Sequence, residues 1–437
     1  MTEPAALISA PAPAERKHYH DIDGARSVLM FLSVALHAGT VYAPARPWIT
    51  QNTARADFFD WLIFGFHLFI TPTFFFVGGF FAVLLLKRRA IGDFLQNRLL
   101  RTAVPLITIA LTLNMVEHYL RWVDNRLPGE AGGAGVLNWL TSGAFVDVWA
   151  SGVWQLHLWF LVSLLPMFGL AALVHGVLPK SSGLRTMTVR FADWLASMTS
   201  GSLPFAAFLM VLAAANTANF AIASQVPGAY DLIAPGFQSW YKLISEFPFF
   251  VIGVLAALSP RFLASLFEWR VWMPYAAAVA LLLQPYSNPD QGFAIGMAML
   301  FANQLVMWTI VLFILQFFHR YFSEGGPRTQ WLADCALSMY LFHHCLVYIY
   351  GRMLVGVEWP MALEFTVLTL LAAGTVIAIH EGLVRRYGLV RLLFNGKTDI
   401  QDVRKQHGLI EAFSTPSPAS KPLAAQTGAT GSSAFPK

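Results

Sequence analysis

Charge is what this chain has least of. Only 12% of its 437 residues are Asp, Glu, Lys or Arg, roughly half the share usual in soluble domains. With a mean hydropathy of +0.55, that shortage excludes an ordinary water-soluble domain and points to a chain built for a bilayer. Cysteine is almost missing. Cys335 and Cys345 are the only two, ten residues apart in one apolar run. On one helix they cannot reach each other, which excludes a disulfide framework and a paired-thiolate metal site. Residues 1–19 are Ala/Pro-rich and lack a long apolar core, so they read as a cytoplasmic tail and not a cleaved signal peptide. The inverted repeat typical of secondary transporters is also missing. Net charge is +5, but the positive residues fall in loops and tails. They read as topology determinants, with no nucleic acid as partner.

What the chain has in excess is apolar and aromatic residues, 56% and 14% of the total, with 14 Trp, 12 Tyr and 36 Phe. A crossing needs about 20 mostly apolar residues. By that measure ten spans are expected, near 25–44, 60–86, 99–120, 154–178, 203–224, 243–259, 271–286, 293–318, 331–351 and 361–385. The sixth and seventh are short, and the second is long enough to tilt, or to break at Pro72. With the N-terminus inside, the inner loops hold twelve Lys or Arg and the outer segments six, and Arg385, Arg386, Arg391 and Lys397 also fall inside. The positive-inside rule therefore puts both termini in the cytoplasm. The fold expected is an all-α integral membrane protein of about ten transmembrane helices. It comprises a transmembrane domain over 20–398 between a tail at 1–19 and a disordered tail at 399–437. The longest outer segment, 121–153, is rich in Gly, Trp and Asp, which suits a loop with a short interfacial helix and a sugar-facing surface.

Ionisable groups inside a membrane are costly and usually mark function. The first span, HDIDGARSVLMFLSVALHAGTV, carries Asp23, Arg26, Met30, Ser33 and His37 on one i, i+3/i+4 stripe. Arg26 and His37 are eleven residues apart, so on a helix they share a face about 16 Å apart. Six histidines fall at membrane depth: His37, His67, His157, His343, His344 and His380. Histidine exchanges protons near neutral pH, which favours acid–base chemistry or proton movement. His343 and His344 point about 100° apart on a helix, so at most one is expected to share a cavity with His37. His67, alone among Phe and Leu, reads as structural. His157 with Trp159 also fits an interfacial anchor, Glu381 with Arg385 a plain i, i+4 pair, and Arg98 with Arg101 a topology signal.

Five stretches in chain order resemble the membrane acyltransferase 3 family. They are the R-x10-H pair Arg26/His37, FFFVGGFF (74–81), RLLRTAVPL (98–106), HLWFL (157–161) and SMYLFHH (338–344). The family's usual serine in the second stretch is Gly78 here, so no hydroxyl role carries over. Within the family, YHDIDGARSVLMFLSVALHAGTVY, EFPFFVIGVLAAL and the terminal LVRLLFNGK are most similar to the branch that succinylates osmoregulated periplasmic glucans.

The resemblance implies an O-acyltransferase with acyl-CoA (succinyl-CoA, or else acetyl-CoA) as co-substrate and no permanently bound cofactor or metal. It implies a glycan acceptor and membrane lipid as partners. His37 would be the general base, with transfer either direct or through an acyl-histidine, and Arg26, held by Asp23, would fix the donor or polarise the cavity. Arg98 and Arg101 would hold the CoA phosphates. His157, Trp159, Ser338, Tyr340, His343, His344 and Glu381 complete the expected donor- and substrate-binding set. The alternatives are acetyl transfer to another envelope or lipid-linked sugar, and a proton-coupled secondary transporter.

Overall fold

The computed structural model describes residues 19–45, 52–125, 135–178, 182–231, 237, 239–283 and 292–397. The expected tails, apart from Tyr19, lie outside the described residues, as do Arg46, Arg126 and Lys180. Helix dominates the described residues throughout. Among the described residues, eight segments are long and apolar enough to cross a membrane, consistent with an integral membrane protein.

The chain opens with α1 (His20–Thr40), then α2 (Asp57–His67) and α3 (Ile70–Leu86). α1 is not among the eight, because its acidic and basic residues dilute its apolarity, yet it is buried along most of its length and packs on several other helices. α2 and α3 form one long span interrupted at Leu68–Phe69. Pro72 is the cause: its ring displaces the carbonyl four residues earlier, that of Leu68. Next come α4 (Ile91–Arg98), a π-turn over Leu99–Ala103, α5 (Val104–Leu111) and α6 (Leu113–Asp124), together one bent span. The π-turn ends two residues before Pro105, which has no N–H to give to the carbonyl of Arg101.

Two short helices, α7 (Val136–Leu140) and α8 (Gly143–Ala150), lead to a 3-10 turn over Val153–Leu158 and α9 (Trp159–Val177). Then follow α10 (Gly183–Met198), α11 (Ser202–Gln225), α12 (Trp240–Leu258), α13 (Pro260–Phe267) and α14 (Met273–Leu282). The last group is α15 (Phe293–Tyr321), α16 (Pro327–Leu354), α17 (Met361–Ile379), a second π-turn over His380–Val384, and α18 (Gly388–Asn395).

Small residues set the closest helix contact. A Cβ on Gly79 of α3 would stand 2.0 Å from the Phe250 carbonyl oxygen, and one on Gly253 of α12 would stand 2.0 Å from that of Phe76. Each backbone therefore lies in the other's glycine notch, as small-residue seams allow in membranes. α18 ends on Gly396 at φ 60°, a left-handed cap that glycine adopts without strain. The missing side chain also lets the π-turn carbonyl of Leu100 approach to 2.0 Å of where a Cβ would be.

Two registers orient the bundle. Arg26 lies level with Ala333, Ala336 and Leu337, and His37 level with His343 and His344, so α1 and α16 run parallel. α15 runs the other way, because its last turn meets the start of α1 where His319 Nδ1 donates to Asp21 Oδ2 at 2.6 Å. Trp269, just before α14, packs against Tyr321 at that same end of α15. Trp272 therefore stands near the Tyr321 end of α15, and Phe293 begins its other end. The expected seventh span falls on α14, which is only ten residues long.

Candidate functional site

The site has two compartments along α1 and α16. The first is a cavity of about 200 Å³ at the Arg26 end, with Arg26, Arg98, Arg101 and Lys397 on its walls. Four elements supply these cations, and the two irregular turns place most of them. The π-turn carries Arg101 and follows Arg98, while the Gly396 cap turns the chain so that Asn395 and Lys397 close the same opening. The Arg98 guanidinium rests over the rings of Phe94 and Phe168, at 5.7 and 5.1 Å, which holds it in place. Arg26 Nη2 pairs with Asp23 Oδ1 at 3.1 Å, and its side chain stays 34% exposed. Gly78 lines this cavity, where a Cβ would meet the end of Leu164 at 3.0 Å and the Phe250 ring at 3.8 Å.

Beneath it sits a buried charge hub. Asp334 Oδ1 accepts from Lys397 Nζ at 2.5 Å and from Arg391 Nη2 at 3.1 Å, and Asp334 Oδ2 lies 3.5 Å from His380 Nε2. His380 Nδ1 in turn meets Ser338 Oγ at 2.8 Å. Burial pulls the Lys397 ammonium below its ordinary pKa, and Asp334 opposes that shift. Ser338 is fully buried and absent from the cavity wall. The set therefore ties α16 to the second π-turn and α18, and does not present a nucleophile. Glu381 lies outside both compartments, where Oε1 accepts from Trp331 Nε1 at 2.6 Å and Oε2 stands 3.5 Å from Arg385.

The second compartment is a cluster of four imidazoles. The His37 ring centroid is 4.7 Å from that of His344, 5.1 Å from His343 and 6.5 Å from His157, and His157 stacks on His344 at 4.5 Å. The expectation that only one of His343 and His344 meets His37 is thus corrected. Two neighbours 100° apart on α16 straddle a ring that sits on the seam between them. Tyr340, one turn earlier, forms the septum: it lines the cavity and donates its hydroxyl to the His157 carbonyl at 2.7 Å.

His157 owes its place to a strained turn. Leu156 adopts φ 46°, ψ −123°, a conformation that costs about 1–3 kcal/mol and persists only where surroundings impose it. Here Asn114 of α6 imposes it by donating to the carbonyls of Trp154 and Gln155, at 2.8 and 3.3 Å. Trp159 turns instead toward α12, with Lys242 Nζ 3.7 Å from its ring centroid. His67 is exposed at the end of α2. Ser33 donates to its own helix at the Met30 carbonyl, so the α1 stripe reaches the site mainly through Arg26 and His37.

One functional partner was visible in the sequence without a role. Glu117 of α6 is completely buried, and its Oε2 accepts from His344 Nδ1 at 2.8 Å. Its Oε1 accepts from Arg121, with Nε at 3.0 Å and Nη2 closer still. Asp334 went unnoticed, although an acid inside the apolar run of the ninth span is the same kind of signal as the histidines beside it. Among the described residues, no group of three or more His, Cys, Asp or Glu is arranged to hold a metal ion.

Comparison with known proteins fits this arrangement. The chain is similar to the Glucans biosynthesis protein C of Salmonella gallinarum, 24% identical over 412 residues that cover 90% of this chain and 98% of that one. The protein of that name from Escherichia coli K12 is 24% identical over 400 residues, with 89% and 96% covered. No solved structure matches the chain. Residues 19–381, which include Arg26, Arg98, Arg101 and the four clustered histidines, match the acyltransferase domain, and the chain belongs to the acyltransferase 3 family.

Proposed function

We propose that the chain moves a succinyl group from cytoplasmic acyl-CoA to hydroxyls of a periplasmic glucan. The observation that carries this reading is the pairing of the two compartments on parallel helices: a four-cation mouth at one level and a four-histidine cluster about 16 Å further along. CoA is a polyanion at one end and a thioester at the other. Arg98, Arg101 and Lys397 suit its phosphates, and the apolar walls suit the uncharged arm. The acyl group then reaches the histidines past Tyr340. The glucan acceptor is taken from the relatives' name.

In the step itself His37 takes the proton of the sugar hydroxyl, whose oxygen bonds to the thioester carbonyl carbon. The C–S bond breaks, the thiolate regains that proton, and an ester and free CoA leave. Arg26 fixes the donor or offsets charge that develops on it. The ten crossings with both termini in the cytoplasm of the bacterial inner membrane belong to this reading, supported by the bias of Lys and Arg toward the expected inner loops. The test is the charge and mass of envelope glucans with and without the chain. Each succinyl ester leaves a carboxylate of pKa about 4.3 and so adds nearly one negative charge at neutral pH. Loss of succinyl mass and anionic charge from the glucan supports the reading. An unchanged glucan beside another sugar that loses acetyl overturns it in favour of an acetyltransferase.

A further inference from the structure

One of the four clustered rings, His344, bears directly on a carboxylate. His343 spends its Nδ1 on the Met339 carbonyl of its own helix at 2.7 Å, leaving Nε2 buried without a hydrogen-bond partner, and neither nitrogen of His157 has one. His344 donates Nδ1–H to Glu117 Oε2 at 2.8 Å. That bond fixes the tautomer, so Nε2 is the nitrogen of His344 that can take up a further proton. The carboxylate is itself fixed, because Arg121 occupies the other oxygen. Glu117, Arg121 and His344 therefore form a rigid unit whose imidazole lies edge-to-face with His37, centroids 4.7 Å apart.

From this geometry we infer that His344 is the proton store of the site and that Glu117 is the positioning residue that makes it one. The inference rests on the acyl-transfer reading above and assigns roles within it. A charged imidazole is costly in a dry apolar cavity. His344 has an anion against it, which offsets that cost at this ring. The hydroxyl O–H bond breaks and its proton goes to His37, which passes a proton from its second nitrogen to His344 Nε2. The sugar oxygen bonds to the carbonyl carbon and the C–S bond breaks. The proton returns through His37 to the departing thiolate, so both histidines end neutral and no other reactant is consumed.

The experiment uses the purified full chain with succinyl-CoA and a periplasmic glucan, comparing wild type with Glu117→Gln, Glu117→Asp, His344→Gln and the double variant Glu117→Gln/His344→Gln. Expected for Glu117→Gln is a fall in kcat of about 10²-fold, within the usual range for general acid–base catalysis, with KM for both substrates within about twofold. Glu117→Asp should recover part of that loss. The solvent deuterium effect on kcat should rise in Glu117→Gln. Because the two residues act as one unit, the double variant should be no slower than His344→Gln alone. Wild-type kcat in Glu117→Gln, a loss confined to KM, or additive losses in the double variant would each overturn the inference. A wild-type protein that transfers nothing overturns the acyl-transfer reading instead, so the two failures are distinguishable.

Discussion

The rings of His37 and His344 stand edge to face with centroids 4.7 Å apart, although they come from the first helix described and the third from the end. That contact fixes α1 and α16 in parallel register and sets the depth of the chemistry relative to the cationic mouth. A shift of one helix by a single turn, about 5.4 Å, would separate the rings and move Arg26 away from Arg98 and Arg101 together. The site is therefore sensitive to how the surrounding helices seat α1.

Seating depends on the glycine seam. Gly79→Ala or Gly253→Ala places a methyl 2.0 Å from a backbone oxygen, so α3 and α12 must separate. We expect either variant to lower the melting temperature of the detergent-solubilised protein by several degrees. Gly78→Ser should be tolerated, because the added Cβ meets side chains alone, the end of Leu164 at 3.0 Å and the Phe250 ring at ordinary contact distance, 3.8 Å. A stability loss in Gly78→Ser equal to that in Gly79→Ala would contradict this packing.

The charge hub makes a second stability prediction. Asp334→Asn leaves Arg391, 1% exposed, beside a neutral amide. Breaking a buried pair by removing one partner costs about 3–5 kcal/mol. The measurement is thermal unfolding followed by tryptophan fluorescence. Loss of α18 docking should also raise the rate of proteolysis after Arg386.

Binding at the mouth separates from chemistry. Arg98→Gln or Arg101→Gln should raise KM for the acyl-CoA about tenfold, the equivalent of one charge-assisted hydrogen bond, with kcat little changed. Added salt should weaken donor binding less in the variants than in wild type. A fall in kcat at unchanged KM would move these residues from holding the donor to acting on it.

How much of this was readable beforehand differs by element. Span positions were legible because bilayer crossings are long apolar runs, and the eight long helices fall on eight of the ten expected. The break near Pro72 followed from backbone chemistry alone. The joint packing of His343 and His344 on His37 did not, since residue spacing gives the angle between two side chains but not where a partner helix lies between them. Asp334 finds its cations 57 and 63 residues away, beyond any local pattern. The π-turns have no period of their own, and only Pro105 hinted at the first.

Topology can be tested apart from chemistry. Reporter fusions after Lys180 and after Lys397 should report cytoplasm, and one after Gly133 periplasm, as the loop charges require. A periplasmic reading after Lys397 would remove one crossing and place the cationic mouth on the wrong side for acyl-CoA.

The central claim is tested most directly in sealed vesicles that carry the purified chain, with periplasmic glucan enclosed and succinyl-CoA added outside. Mass spectrometry of the enclosed glucan should show succinyl esters with the wild type. His37→Ala or Arg26→Lys, inserted to the same level, should show none, because water does not replace a base in a dry cavity and a point charge does not replace a planar fork. Unmodified glucan with the wild type, or near wild-type esterification in His37→Ala, would contradict the account.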